Sequence, residues 1–125
     1  MRALALWAVL FGVYAATVAI DASPGERLSA GEAHVLLTAE SIVSDHDLDV
    51  SNQYAHRAWR TWYGGTLRPT ARPDSAGRIF EPQGAGLPLL VAPAWAIGGV
   101  TAVKLWLAAI TAAGFACAAA LARRL

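Results

Sequence analysis

The stretch QGAGLPLLVAPAWAIGGVTAVKLWLAAITAAGFACAAALA, residues 83–122, contains Lys104 as its only charge. A helix that crosses a bilayer needs about 20 mostly apolar residues, with roughly 17 as the lower limit. The uncharged runs Pro82–Val103 and Leu105–Ala122 both reach it. Gly98-Gly99 predicts a turn between them, so 83–122 reads as a helical hairpin. Pro88 and Pro93 each delete a helix hydrogen bond and invite a kink, which membrane helices tolerate where neighbours satisfy the freed carbonyls. The second limb is small-faced, with Ala108, Ala109, Ala112, Ala113, Ala116, Ala119 and Ala120. Such a face lets another helix approach closely in lipid.

A matching run stands at the other end. Ala3–Ile20 is uncharged and exceeds the usual ~7–15-residue core of a signal peptide. Residues 1–22 therefore read as an uncleaved first transmembrane helix, with Trp7, Phe11 and Tyr14 forming an aromatic stripe at helical spacing. The apolar residues, 56% of 125, lie in blocks at the ends, and all nine acidic residues fall between Asp21 and Glu81. The expected fold is an all-α membrane protein of about three transmembrane helices, with a long extracytoplasmic loop over 23–82. A net charge of +1 supplies no basic field for nucleic acid. The single cysteine, Cys117, cannot form an internal disulfide.

Arg2 and Lys104 place the N-terminus and the Gly98-Gly99 turn on the cytoplasmic side of the cell's inner (plasma) membrane, with the acidic-rich loop outside. Three crossings would then put Arg123 and Arg124 outside, against the positive-inside tendency. Either the proline-containing run does not fully cross, or the tendency is overridden.

Within the loop, Ser23-Pro24-Gly25 breaks the first helix. Ser29-Ala30-Gly31-Glu32 fits a capping box opening a surface helix over about 30–44, whose apolar face is Val35, Leu36, Ala39, Ile42 and Val43. Asp45-His46-Asp47-Leu48-Asp49 is a charged connector. It fails the calcium-loop pattern, because the positions that need glycine and glutamate are Val50 and His56. A second short helix is expected over about 52–63, with Ser51 as cap and Gly64-Gly65 as terminator. Leu67–Gln83, holding Pro69, Pro73 and Pro82, should be extended or turning. Asp74–Gly77 reads as a turn into an extended Arg78-Ile79-Phe80.

Two groupings carry chemistry. Glu32 with His34, just after the membrane exit, offers a carboxylate base and a neighbouring imidazole, or simply the capping box. Arg57 and Arg60 among Trp59, Trp62 and Tyr63 offer a rigid fork for a lipid phosphate, or an interfacial anchor. No paired-cysteine metal site and no phosphate-cradling glycine loop is present, so neither a metal nor a cofactor is expected.

The order of parts resembles a known family. One membrane helix is followed by Leu28-Ser29-Ala30-Gly31-Glu32-Ala33-His34, by Thr38-Ala39-Glu40-Ser41 and by Asp47-Leu48-Asp49. Later come Tyr63-Gly64-Gly65, Arg78-Ile79-Phe80-Glu81-Pro82 and Gly86-Leu87-Pro88-Leu89-Leu90. This resembles the N-terminal part of bacterial membrane glycosyltransferases of the GT-C type, the protein mannosyltransferase and aminoarabinose transferase relatives. The resemblance implies transfer of a sugar from a polyprenyl-phosphate carrier on the outer face of the membrane. It implies an acidic catalytic residue early in the first outer loop. The position matching that residue is Gly31, with Glu32 and His34 beside it, so Glu32 and His34 are the catalytic candidates. Arg57, Arg60 and Trp59 are the substrate-binding candidates. The resemblance also implies membrane lipid, a polyprenyl-phosphate-linked sugar, and further membrane helices or a partner membrane protein as associates, this chain being a fragment of the whole. The alternative is a small non-enzymatic membrane protein whose loop docks a partner or the bilayer surface.

Overall fold

The computed structural model describes residues 2–22 and 26–124; the expected break at Ser23-Pro24-Gly25 lies outside the described residues. The fold is all-helical, with no strand among the described residues. Helix α1 spans Arg2–Ala16, α2 Ala30–Ser44, α3 Ser51–His56 and α4 Gly86–Ala122, with a single 3-10 turn, Ala58–Thr61, between α3 and α4.

Helix α4 is the one described helix long and apolar enough to cross a membrane, and it is not straight. Gly98 (φ −160°, ψ 26°) and Gly99 (φ 57°, ψ −143°) leave helical geometry. The second of these conformations is open only to glycine, which has no Cβ to clash. The chain reverses here, and the indole Nε1 of Trp106 donates to the carbonyl of Leu90, 3.1 Å away across the reversal. The expected turn therefore forms, but the limbs are unequal. At 1.5 Å per residue, 86–97 is about 18 Å long and 100–122 about 34 Å. A bilayer's hydrocarbon core is about 30 Å thick. The proline-containing limb falls short of a full span, where the sequence led us to expect one.

Helix α1 is also shorter than the expected 1–22. It ends at Ala16 and continues as tight turns, with Thr17 and Val18 N–H donating to Tyr14 and Ala15 and Ile20 N–H to Thr17. It packs antiparallel on the longer limb. Trp7 Nε1 donates to Ala109 O at 3.1 Å, while Lys104 Nζ donates to Val18 O at 3.3 Å. The aromatic stripe is the packing seam. Trp7 and Phe11 stack at 5.3 Å, and Phe11 and Tyr14 line hollows against 100–122.

The intervening segment folds over α4. The capping box at the start of α2 is complete. Ala33, Leu36, Leu37 and Ala39 turn inward to join Val50, Trp59, Tyr63, Leu67, Ile79 and Val91 in one core. The expected 52–63 helix is broken in two. Arg57 adopts the left-handed conformation (φ 53°, ψ 45°), and its N–H closes α3 on the carbonyls of Gln53 and Tyr54. A left-handed residue is a common helix terminator, but one that costs a non-glycine residue some strain. Asp74–Gly77 turns as expected, with Gly77 at φ 80° and its N–H on Asp74 O. Ile79 then pairs with the connector. Val50 N–H donates to Ile79 O at 2.9 Å, and Ile79 N–H donates to Asp49 Oδ1 at 2.9 Å.

Candidate functional site

The acidic connector uses its charges internally. Asp45 Oδ2 accepts from Asn52 and Gln53, which hold its pKa below the ordinary range. Asp47 Oδ1 accepts from Ser41 Oγ and the Asp49 N–H. Asp49 Oδ1 accepts from the N–H groups of Ser51 and Ile79. Burial opposes the Asp49 charge, but those backbone donors outweigh it and its pKa is lowered. Each carboxylate serves a separate set of donors. Among the described residues, no three His, Cys, Asp or Glu stand close enough together to hold a metal.

Three places hold polar groups against apolar walls. The first is a groove of about 300 Å³ between α2 and both limbs of α4, walled by Leu28, Val35, Leu36, Leu87, Val91 and Leu107, with Glu32 and Lys104 as its charged members. Glu32 is held there by its capping role. Its Oε2 accepts from Ser29 N–H at 2.7 Å and Ser29 Oγ at 2.8 Å. Lys104 is held by two carbonyls, Val18 O and Arg27 O, the latter at 2.9 Å.

The second is a recess of about 430 Å³, lined by Arg27, Arg60, Thr61, Trp62, Tyr63 and Gly64 from the loop and by Gly98, Val100 and Thr101 from the hairpin. It adjoins the groove, since Val100 lines both. Its two guanidiniums, two threonines and the start of the longer limb form a set of donors with no acid among the lining residues. Arginine's planar fork suits phosphate, and a helix start favours negative charge. Trp62 is fixed at its edge, donating Nε1 to Glu40 Oε2 at 3.3 Å and packing edge-on to Trp95 at 5.1 Å. Burial raises the pKa of Glu40, partly offset by that indole bond.

The third is a buried clasp. The Glu81 side chain is only 2% exposed and meets residues from three other segments. Tyr54 OH donates to its Oε1 at 2.5 Å, Thr70 Oγ1 donates to its Oε2, and His34 Nδ1 stands 3.4 Å from Oε1. Nδ1 is also 2.8 Å from the Tyr54 oxygen. With the phenolic proton committed to Glu81, the imidazole must be the donor in that pair. Burial, then the bond to Glu81 and its charge, push the Tyr54 pKa far above the ordinary tyrosine range. Glu81 also borders a small hollow of about 150 Å³ with Thr38, Leu48, Phe80, Gly84 and Ala85.

The candidates read from sequence are thus separated. Glu32 lines the groove, but His34 points the other way, into the clasp. Arg60 lines the recess, whereas Arg57 is exposed and borders none of the described hollows. Trp59 is 5% exposed and packs edge-on to Tyr54 at 5.5 Å, so it is a core residue. Arg27, Lys104, Glu81, Tyr54 and Thr70 were not singled out beforehand. Lys104, as the sole charge in the 83–122 stretch, and Glu81, set directly before Pro82, carried a signal; Arg27, Tyr54 and Thr70 did not. No family model, curated protein or solved structure matches the chain.

Proposed function

We propose that this chain is the N-terminal module of a membrane glycosyltransferase that takes its sugar from a polyprenyl-phosphate carrier, with the loop on the outer face of the membrane. The observation that carries this reading is the adjacency of an apolar groove and an arginine recess, joined at Val100. A carrier of this kind has an isoprenoid tail and a phosphate head. The tail matches the walls of Leu28, Val35, Leu36, Leu87, Val91 and Leu107; the head matches Arg27 and Arg60. Burying each apolar methylene is worth about 0.8 kcal/mol, and bidentate arginine–phosphate bonds add orientation. The Lys104 ammonium, beside the junction, adds positive charge.

In the transfer step, an acceptor hydroxyl attacks the anomeric carbon. The carbon–oxygen bond to the carrier phosphate breaks, and the leaving phosphate keeps the electron pair, stabilised by the guanidiniums. The hydroxyl proton goes to a carboxylate. Glu32 is the candidate for that role, as the one acid among the residues that line the groove and the recess, with its Oε1 unengaged among the described residues. The order of motifs from Leu28 to Leu90 supports the same class. Further membrane helices, from the same protein or a partner, would complete the acceptor side.

The test is binding of a photoreactive polyprenyl phosphate in nanodiscs. Saturable crosslinking within 28–36 or 87–107, reduced at least tenfold by Arg27→Ala with Arg60→Ala, is the expected result. Crosslinking that is insensitive to that pair, or equal for a neutral polyprenol, would turn the reading toward a non-enzymatic loop that sits on the bilayer.

A further inference from the structure

We propose that the chain crosses the membrane only twice, through 2–20, which is α1 together with the tight turns that prolong it, and through 100–122, and that the limb 86–97 seats its exposed face in the hydrocarbon of the loop-side leaflet. The inference rests on the reading above that this is a membrane protein, and goes beyond it in fixing which segments cross.

Four observations converge. The limb is about 18 Å long, too short for the ~30 Å hydrocarbon thickness. It also runs beside only one end of the longer limb: Leu90 faces Trp106, and Ile97 borders a hollow with Ala102 and Trp106. That end is the loop end, because Lys104 is tied to Val18 and Arg27. The limb's outward surface is apolar: Leu87, Leu89 and Leu90 are 45–55% exposed and Ile97 86%. Finally, antiparallel packing of α1 on 100–122 puts Arg2 at the same end of the pair as Arg123 and Arg124. The charges that conflict under three crossings then agree with the positive-inside tendency. Lys104, expected at the cytoplasmic surface, lies at the opposite one.

The bond from Trp106 to Leu90 fits this seat, since it satisfies a polar indole and a carbonyl where lipid offers no partner. The Trp62–Trp95 pair stands at the level where aromatic rings favour the membrane interface.

The experiment uses single-cysteine variants of the full chain in intact cells, with Cys117→Ser as background. Thr101→Cys marks the reversal and Arg124→Cys the far end of the longer limb; both must react with a maleimide in detergent. The expected pattern is that an impermeant maleimide reaches Thr101→Cys from outside and Arg124→Cys only after permeabilisation. The opposite pattern overturns the two-crossing arrangement and restores three full spans. A nitroxide on Leu89→Cys should collide with oxygen and be shielded from an aqueous nickel chelate; strong nickel collision would remove the limb from the leaflet. Carbonate extraction separates the two levels of failure. A chain released from the membrane overturns the membrane reading itself, whereas a retained chain with the wrong labelling overturns only the topology.

Discussion

Tyr54 donates its phenolic proton to Glu81, 27 positions further on, at 2.5 Å, and thereby joins α3 to the segment that leads into α4. The Glu81 side chain is buried, and Tyr54 packs against Trp59 and His34. A buried hydrogen bond to a charged group is worth about 1.5–3 kcal/mol, and leaving the charge without its donor costs a comparable amount.

Tyr54→Phe should therefore lower the unfolding midpoint of the loop by several degrees, with a loss of about 2 kcal/mol. Glu81→Ala should do the same, and the double variant should cost less than the sum of the singles, because each removes the same bond. Denaturation in detergent followed by tryptophan emission reads this directly. Additive effects would show that the pair is not coupled.

The hairpin reversal should be intolerant of side chains. Gly99 has φ 57° and ψ −143°, and a Cβ on Gly98 would stand 3.0 Å from the Ala102 Cβ. Gly99→Val should cost about 1–3 kcal/mol and open the limbs. Cysteines at positions 90 and 106 should be joined readily by a short bifunctional thiol crosslinker in the parent and poorly in Gly99→Val.

Trp7 joins α1 to the longer limb through Ala109. Trp7→Phe keeps most of the ring but removes the donor, so α1 should dissociate more easily at a cost of about 1 kcal/mol. Energy transfer between probes on α1 and near residue 115 should fall. No change would assign the seam to ring packing alone.

Two carboxylates should give opposite pH dependence. Asp49 has a lowered pKa, so its stabilisation is present above about pH 3.9, the ordinary aspartate value, and is lost as pH falls through its folded value. Asp49→Asn should be less stable than the parent at pH 7 and should converge with it in acid. Glu40 has a raised pKa, so its favourable contribution exists below about pH 4.3 and disappears as pH rises through its folded value. Glu40→Gln should be more stable than the parent at pH 7 and equal to it in acid. Stability measured from pH 2.5 to pH 7.5 tests both signs.

Local chemistry made much of this fold legible. The Ser29–Glu32 box, the Asp74–Gly77 turn, the Gly98-Gly99 reversal and the bounds of α2 are written in neighbouring residues. The left-handed Arg57 was not legible, because nothing in Asn52–Tyr63 marks it as a terminator; the core contacts of Trp59 and Tyr54 impose it. Limb length was misjudged for a related reason. The uncharged run Pro82–Val103 reaches span length only when counted through its own Gly98-Gly99 turn, and the loop's packing on Val91 and Ala92 claims part of what remains. Of the residues that line the groove and the recess, Glu32 and Arg60 stood out in the sequence, whereas the clasp as a unit did not. Its members, at 34, 54, 70 and 81, share no periodicity and meet only through the tertiary fold.

The clasp also has a direction in time. A ribosome makes His34, Tyr54 and Thr70 before it makes Glu81, so the three donors are on hand while their common acceptor is still to come. The loop can collapse around Leu37 and Val50 early, but it cannot lock until Glu81 appears, immediately ahead of the apolar limb. Locking of the segment before α4 and delivery of the hairpin thus fall at the same moment of synthesis, and a ribosome stalled before Glu81 would hold a loop that is collapsed yet still open to proteolysis.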